Sequence, residues 1–219
     1  MTAHLHRIPF SLVIAFLALQ VGNTGSSCNK SAMKSHELQN ALLTPAIEVR
    51  AEQAGLVDLR SKPLAGDDIE IRIWSEPEPI PDLVHGYVLE RHAHSWRCDH
   101  LLPSGSGLPV VGDGQRVVIG RKPSNEERTV MVEPLNGWEF LWNGLTSAGL
   151  LTLPDESQLD LKTDRSTPAG NIYVVEIKRE TGYRVYRYTN PEHFTLPETK
   201  AMSRIIQLLH DEFSNDQQQ

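Results

Sequence analysis

The stretch "NIYVVEIKRETGYRVYRYTNPE", residues 171–192, constrains the fold more than any other part of the chain. Valine, isoleucine and tyrosine recur there in a two-residue period on both sides of Glu180-Thr181-Gly182, the pattern of two strands joined by a tight turn. A three-residue turn with glycine in the left-handed position sets Arg179 opposite Tyr183, Ile177 opposite Val185 and Glu176 opposite Tyr186. In that register Val175, Ile177 and Val185 face the core. Glu176, Lys178, Arg184, Tyr186 and Tyr188 face outward, with Glu176 diagonal to Arg184. The string of tyrosine and arginine is then a half-exposed strand face. If the protein has a binding face, Arg184, Tyr186 and Tyr188 are its first candidates.

A hairpin alone is marginal in water and needs partners. Several are legible. Ile69, Ile71 and Ile73 alternate with Glu70, Arg72 and Trp74, and strand-like runs follow at Gly86–Arg91, Trp96–Leu101, Arg116–Gly120 and Thr129–Val132. "Glu76-Pro77-Glu78-Pro79-Ile80-Pro81" reads as an extended surface loop, because proline cannot donate to a sheet.

Three helices are signposted. Thr44 precedes Pro45 as an N-cap, with Gly55 as the stop. Asn136 and Glu139 fit a capping pair ahead of Trp138, Leu141, Trp142 and Leu145, one face of a helix ending near Gly149. Thr195 and Glu198 open the last helix, whose stripe is Met202, Ile205, Ile206, Leu209 and Phe213. Residues 154–170 read as a polar loop. Strands with short connections and two or three packed helices indicate an α+β domain on a mainly antiparallel sheet, over residues 44–214. Residues 28–43 read as a tether and 215–219 as a disordered tail.

The chain begins MTAHLHR, then IPFSLVIAFLALQV, then GNTGSSC. A basic start, a short uncharged apolar run and a small-residue exit make residues 1–27 a secretory signal peptide, shorter than the ~20 apolar residues of a membrane span. Gly25-Ser26-Ser27-Cys28 resembles the lipobox of bacterial lipoproteins, which implies lipidation at Cys28. Gly25 stands where that family prefers leucine, and the same small residues suit ordinary cleavage. Both fates of Cys28 stay open. With lipid on Cys28, Cys98 is a lone thiol, whereas a free Cys28 in an oxidising compartment can pair with Cys98.

The formal charge is −7, and residues 1–27 contain one basic residue, Arg7, and no acidic one. A net acidic, exported chain is a poor partner for nucleic acid, whose binding rests on lysine and arginine against phosphate. Any membrane attachment is expected only through the lipid.

The densest group of ligand-type residues is "HAHSWRCDH", residues 92–100. His92, His94, Cys98 and His100 could hold zinc or copper. On one straight strand all four share a face, but positions 92 and 100 then lie roughly 26 Å apart at the usual strand rise. Only a turn at 92–95 brings them nearer. Nucleophilic catalysis has weaker signals. Pro103-Ser104-Gly105-Ser106-Gly107 lacks the first glycine of a serine elbow. The glycine runs at 105–107 and 112–114 lack a phosphate-loop lysine. Residues 155–160 lack the alternation and glycine of a calcium loop. The expectation is an exported, non-catalytic domain of the cell envelope, periplasmic, lipid-anchored or secreted, that binds an envelope protein, peptide or polymer. The alternative is a zinc or copper protein, or a metal-dependent hydrolase, using the histidine cluster. The sequence leaves the cofactor unknown.

Overall fold

A computed structural model describes residues 42–79, 83–103, 129–161 and 169–213. The segment expected to be a signal peptide, Cys28, the strand expected at Arg116–Gly120, the serine-glycine stretch from Ser104 onward and the expected tail lie outside the described residues. Within them, the α+β architecture is as the sequence indicates.

Six strands form one antiparallel sheet: β1 (Ile69–Pro77), β2 (His85–His92), β3 (Ser95–Leu101), β4 (Thr129–Val132), β5 (Asn171–Arg179) and β6 (Gly182–Thr189), in the order β4-β3-β2-β1-β5-β6. The α-helices among the described residues are α1 (Pro45–Gln53), α2 (Trp138–Ser147) and α3 (Pro197–Phe213). Strand β1 lies inside the sheet, paired with β2 on one side and β5 on the other. Its first proline, Pro77, continues the strand opposite Asn171, so β1 runs into the stretch expected to be a loop.

Both faces of the sheet are covered. On one, α2 and α3 press Leu141, Leu145, Met202, Ile205 and Leu209 onto Ile69, Ile71, Ile73, Val175 and Ile177. Each such buried side chain contributes roughly 1.5–3 kcal/mol. The helices themselves meet closely: a Cβ on Gly144 would stand 3.2 Å from Leu208. On the other face, α1 and residues 54–65 cover Trp74, Val84, Val88, Val174 and Val185. Thr44 caps α1 by accepting from the Ile47 N–H and donates its own proton to Glu76 at 2.6 Å. Trp74 lies across Gly86 so tightly that a Cβ there would stand 2.7 Å from the Ile73 carbonyl oxygen and 2.9 Å from the indole.

Two-sided cover explains why Glu70 and Arg72 are buried, although they alternate with isoleucine as a solvent face would. They pair with each other at 2.8 Å, and Lys62 bridges Glu70 to Glu90. Asn136 does not cap α2. Gly137 takes that position, and Asn136 donates through its backbone and side-chain N–H groups to Glu212 at 2.8 Å each.

Candidate functional site

The tyrosine-arginine string faces inward. The observed hairpin closes on two residues, Glu180 and Thr181, with Gly182 (φ 153°) opening β6 opposite Arg179. Ile177 therefore opposes Arg184, and Val175 opposes Tyr186, one residue out of the expected register. Because side chains alternate, that slip carries Arg184, Tyr186 and Tyr188 to the face beneath α2 and α3. Tyr186 is 0 % exposed and Tyr188 1 %. Their hydroxyls donate to the carbonyls of Leu150 (2.8 Å) and Pro154 (2.9 Å), while Arg184 donates to Leu151 and Leu153. The string clasps the segment after α2 from inside, and the half-exposed binding face expected of it is not on the surface. The same segment then wraps the rim of β6. Asp155 accepts from the Arg187 N–H at 2.9 Å, and Glu156 from the Thr189 N–H at 2.6 Å.

The histidine cluster is split between the faces of the sheet. Strands β2 and β3 join through Ala93 and His94, both at positive φ (47° and 70°), so His92 pairs with Ser95 and Leu89 with Cys98. A two-residue turn puts His92 on the α1 side, whereas Cys98 and His100 point to α2 and α3. His92 Nδ1 meets Asp68 at 2.6 Å, and His94 is exposed at the turn. Cys98 is fully buried, and burial pushes its thiol well up. His100 stacks on Tyr87 at 4.5 Å. Its pairing partner lies five positions along β2 from His92, roughly 16 Å at the usual rise. The turn at 92–95 thus separates the four residues. Among the described residues no group of three His, Cys, Asp or Glu side chains is placed to hold a metal ion.

What the strands do assemble is a different cleft. Register sets His85, Ser75 and Tyr173 in one row across β2, β1 and β5, with Tyr87 in the adjacent row. These groups and Asn171 form the floor of a cleft of about 220 Å³, roofed by Ile206, Leu209 and His210 of α3. A cavity of about 150 Å³ holds a benzene ring, so this volume suits one small ring or side chain. His85 Nδ1 lies 3.2 Å from the Leu83 carbonyl; as donor there it leaves Nε2 as an acceptor.

Burial keeps these groups uncharged. It lowers the pKa of His85 against the opposing effect of the Leu83 bond. Burial, then the proximity of His85, brings His100 down to about 4. Tyr87 is pushed up to about 12, mainly by burial, and Tyr173 is raised by burial and by Glu192. Near neutral pH the floor offers phenol donors, a neutral imidazole, a hydroxyl and an amide, facing Ile206, Leu209 and the His210 ring.

None of these five floor residues stands out in the sequence. Extending the period of Ile69-Ile71-Ile73 to Ser75, and of Tyr87 back to His85, is the one available signal. Both extensions cross the boundaries that the proline-rich stretch suggests.

The three tryptophans near α2 behave as core margin. Trp96 stacks on Trp138 at 5.8 Å and tilts against Trp142 at 4.9 Å, while the Arg91 guanidinium lies over Trp96 and Trp142 at 5.4 and 5.8 Å. Comparison of the chain with protein-family models, curated proteins and solved structures returns no match.

Proposed function

We propose that the protein is an exported, non-catalytic binding domain of the cell envelope, whose His85 cleft takes one small uncharged group of an envelope polymer or peptide. The observation that carries the reading is the composition of that cleft: neutral hydrogen-bonding groups on the sheet, beneath Ile206, Leu209 and His210 of α3. Pockets that recognise small groups combine a mostly apolar surround with a few placed polar atoms. The partner of His85 Nδ1 favours binding over acid-base chemistry. It is a main-chain carbonyl, not a carboxylate, and burial makes the ring a weaker base.

An N-acetylated sugar presents hydroxyls, an amide and an apolar methyl, the complement of this lining. Backbone amide shifts followed while titrating N-acetylglucosamine should move at positions 75, 85–87 and 171–173, and Tyr173→Ala should weaken binding about tenfold, the scale of one lost polar anchor. Shifts confined to other parts of the sheet, or an unchanged affinity in the variant, would remove the reading. Export is tested separately by the intact mass of the protein from its native host. A mass that includes Met1–Ser27 would remove the envelope assignment while leaving the cleft intact.

A further inference from the structure

His85 and Tyr87 stand two positions apart on β2, so both point to the face that forms the floor of the His85 cleft. The bond at Nδ1 sets the tautomer of His85. A carbonyl oxygen only accepts, so Nδ1 carries the proton that reaches Leu83 at 3.2 Å, and Nε2 is the acceptor of the ring.

Tyr87 is held by two other rings. His100 stacks on it at 4.5 Å with an interplanar angle of 16°, and Phe213 at 5.3 Å and 27°. Two rings stacked on one phenol at these distances take its two faces. Tyr87 therefore offers the cleft its hydroxyl edge and not a stacking surface. That hydroxyl differs from those of β6. Tyr183, Tyr186 and Tyr188 donate to Glu176, Leu150 and Pro154 at 2.8–2.9 Å, whereas among the described residues none hydrogen-bonds to the Tyr87 hydroxyl. A half-buried donor without a protein partner gains by meeting an acceptor brought by a ligand.

One strand face thus presents a neutral donor beside a neutral acceptor. A secondary amide carries the complement, a carbonyl that accepts and an N–H that donates. An ester keeps the carbonyl but lacks the N–H. An amine or an alcohol lacks the carbonyl. Resting on the reading of this cleft as a binding site, we infer that the group it recognises is a secondary amide. The amide carbonyl meets the Tyr87 hydroxyl, its N–H meets His85 Nε2, and its apolar substituent lies against Ile206 and Leu209. Tyr87 is then the residue that sets specificity.

Titration of the full chain with N-cyclohexylacetamide and cyclohexyl acetate, followed by backbone amide shifts, tests this. The two probes differ only in N–H against oxygen, and neither is a sugar. Both should move the amides at positions 85–87, and the amide probe should bind about tenfold tighter, the scale of one hydrogen bond. Tyr87→Phe keeps the ring between His100 and Phe213 and removes only the hydroxyl. It should weaken N-cyclohexylacetamide about tenfold while leaving the denaturation midpoint unchanged. Should that variant fold poorly, or its midpoint fall, the hydroxyl has a role inside the protein and the assignment is overturned. An ester bound as tightly as the amide by the unaltered protein, or an amide affinity unchanged in Tyr87→Phe, also overturns it and leaves the cleft a binding site. So do shifts with N-acetylglucosamine but none with N-cyclohexylacetamide. Absence of shifts at 75, 85–87 and 171–173 with all three compounds removes the cleft reading, and this inference with it.

Discussion

Glu212, buried in the last turn of α3, receives both the backbone N–H and the side-chain N–H of Asn136, each at 2.8 Å. The Glu212 main-chain carbonyl takes the Leu135 N–H as well, at 3.1 Å. One residue of the last helix thus fixes the entry to the helix beside it, where no side-chain cap is present.

Glu212→Ala should therefore cost about 2–3 kcal/mol, since it strands a backbone N–H and an amide together. Urea denaturation checks this. Asn136→Ala removes the partner amide but leaves the backbone donor in place, and should cost less, about 1 kcal/mol. Equal losses in the two variants would mean that the backbone contact contributes nothing.

Changing Tyr186 tests whether its string is a clasp or a binding surface. Tyr186→Phe loses the bond to the Leu150 carbonyl and should destabilise by about 1–2 kcal/mol, and Tyr186→Ala by about 3–5 kcal/mol through the cavity it leaves. Denaturation midpoints read both. A Tyr186→Ala protein as stable as the parent would show that the ring is not part of the core.

The histidines give the pH dependence a sign. His85 and His100 have depressed folded-state pKa values, so the unfolded chain binds more protons wherever the two states differ. Their contribution is fully present above the ordinary histidine value near 6.5 and is lost as pH falls from there toward about 4, where His100 titrates. Unfolding free energies at about pH 7.5, 6 and 5 should fall in that order, and His100→Phe should flatten the decline. Below about pH 5, Asp68 and Glu90 add a second loss, because their partners hold them below the usual carboxylate range. A slope between about pH 7.5 and 5 that is identical in His100→Phe would assign the effect elsewhere.

The strands were legible because Ile69, Ile71, Ile73 and the 171–188 hairpin carry a two-residue period, and because valine and isoleucine on one face demand a cover. The last helix was legible from its stripe. What the period could not convey was whether the other face is covered too. Glu70, Arg72 and Glu176 look like solvent positions, yet here they are buried and answered by Lys62, by one another and by Trp74 and Tyr183. The face presented by β6 was misplaced by a single residue of turn length. Gly182 joins the strand instead of the loop, and every side chain of β6 changes sides. The His85 cleft was hidden for another reason. Its members come from three strands that are adjacent only after β5 has inserted beside β1, a pairing that no local pattern announces.

The carboxylates of Asp155 and Glu156 sit on the outward amides of β6, the last strand of the sheet. An unclaimed row of strand amides is a template on which a neighbouring copy can extend the sheet. Along this margin a second molecule would first have to evict two acids from the Arg187 and Thr189 positions. The loop after α2 thereby occupies amide positions that another strand would need, and one of its two carboxylates, Asp155, is itself buried there.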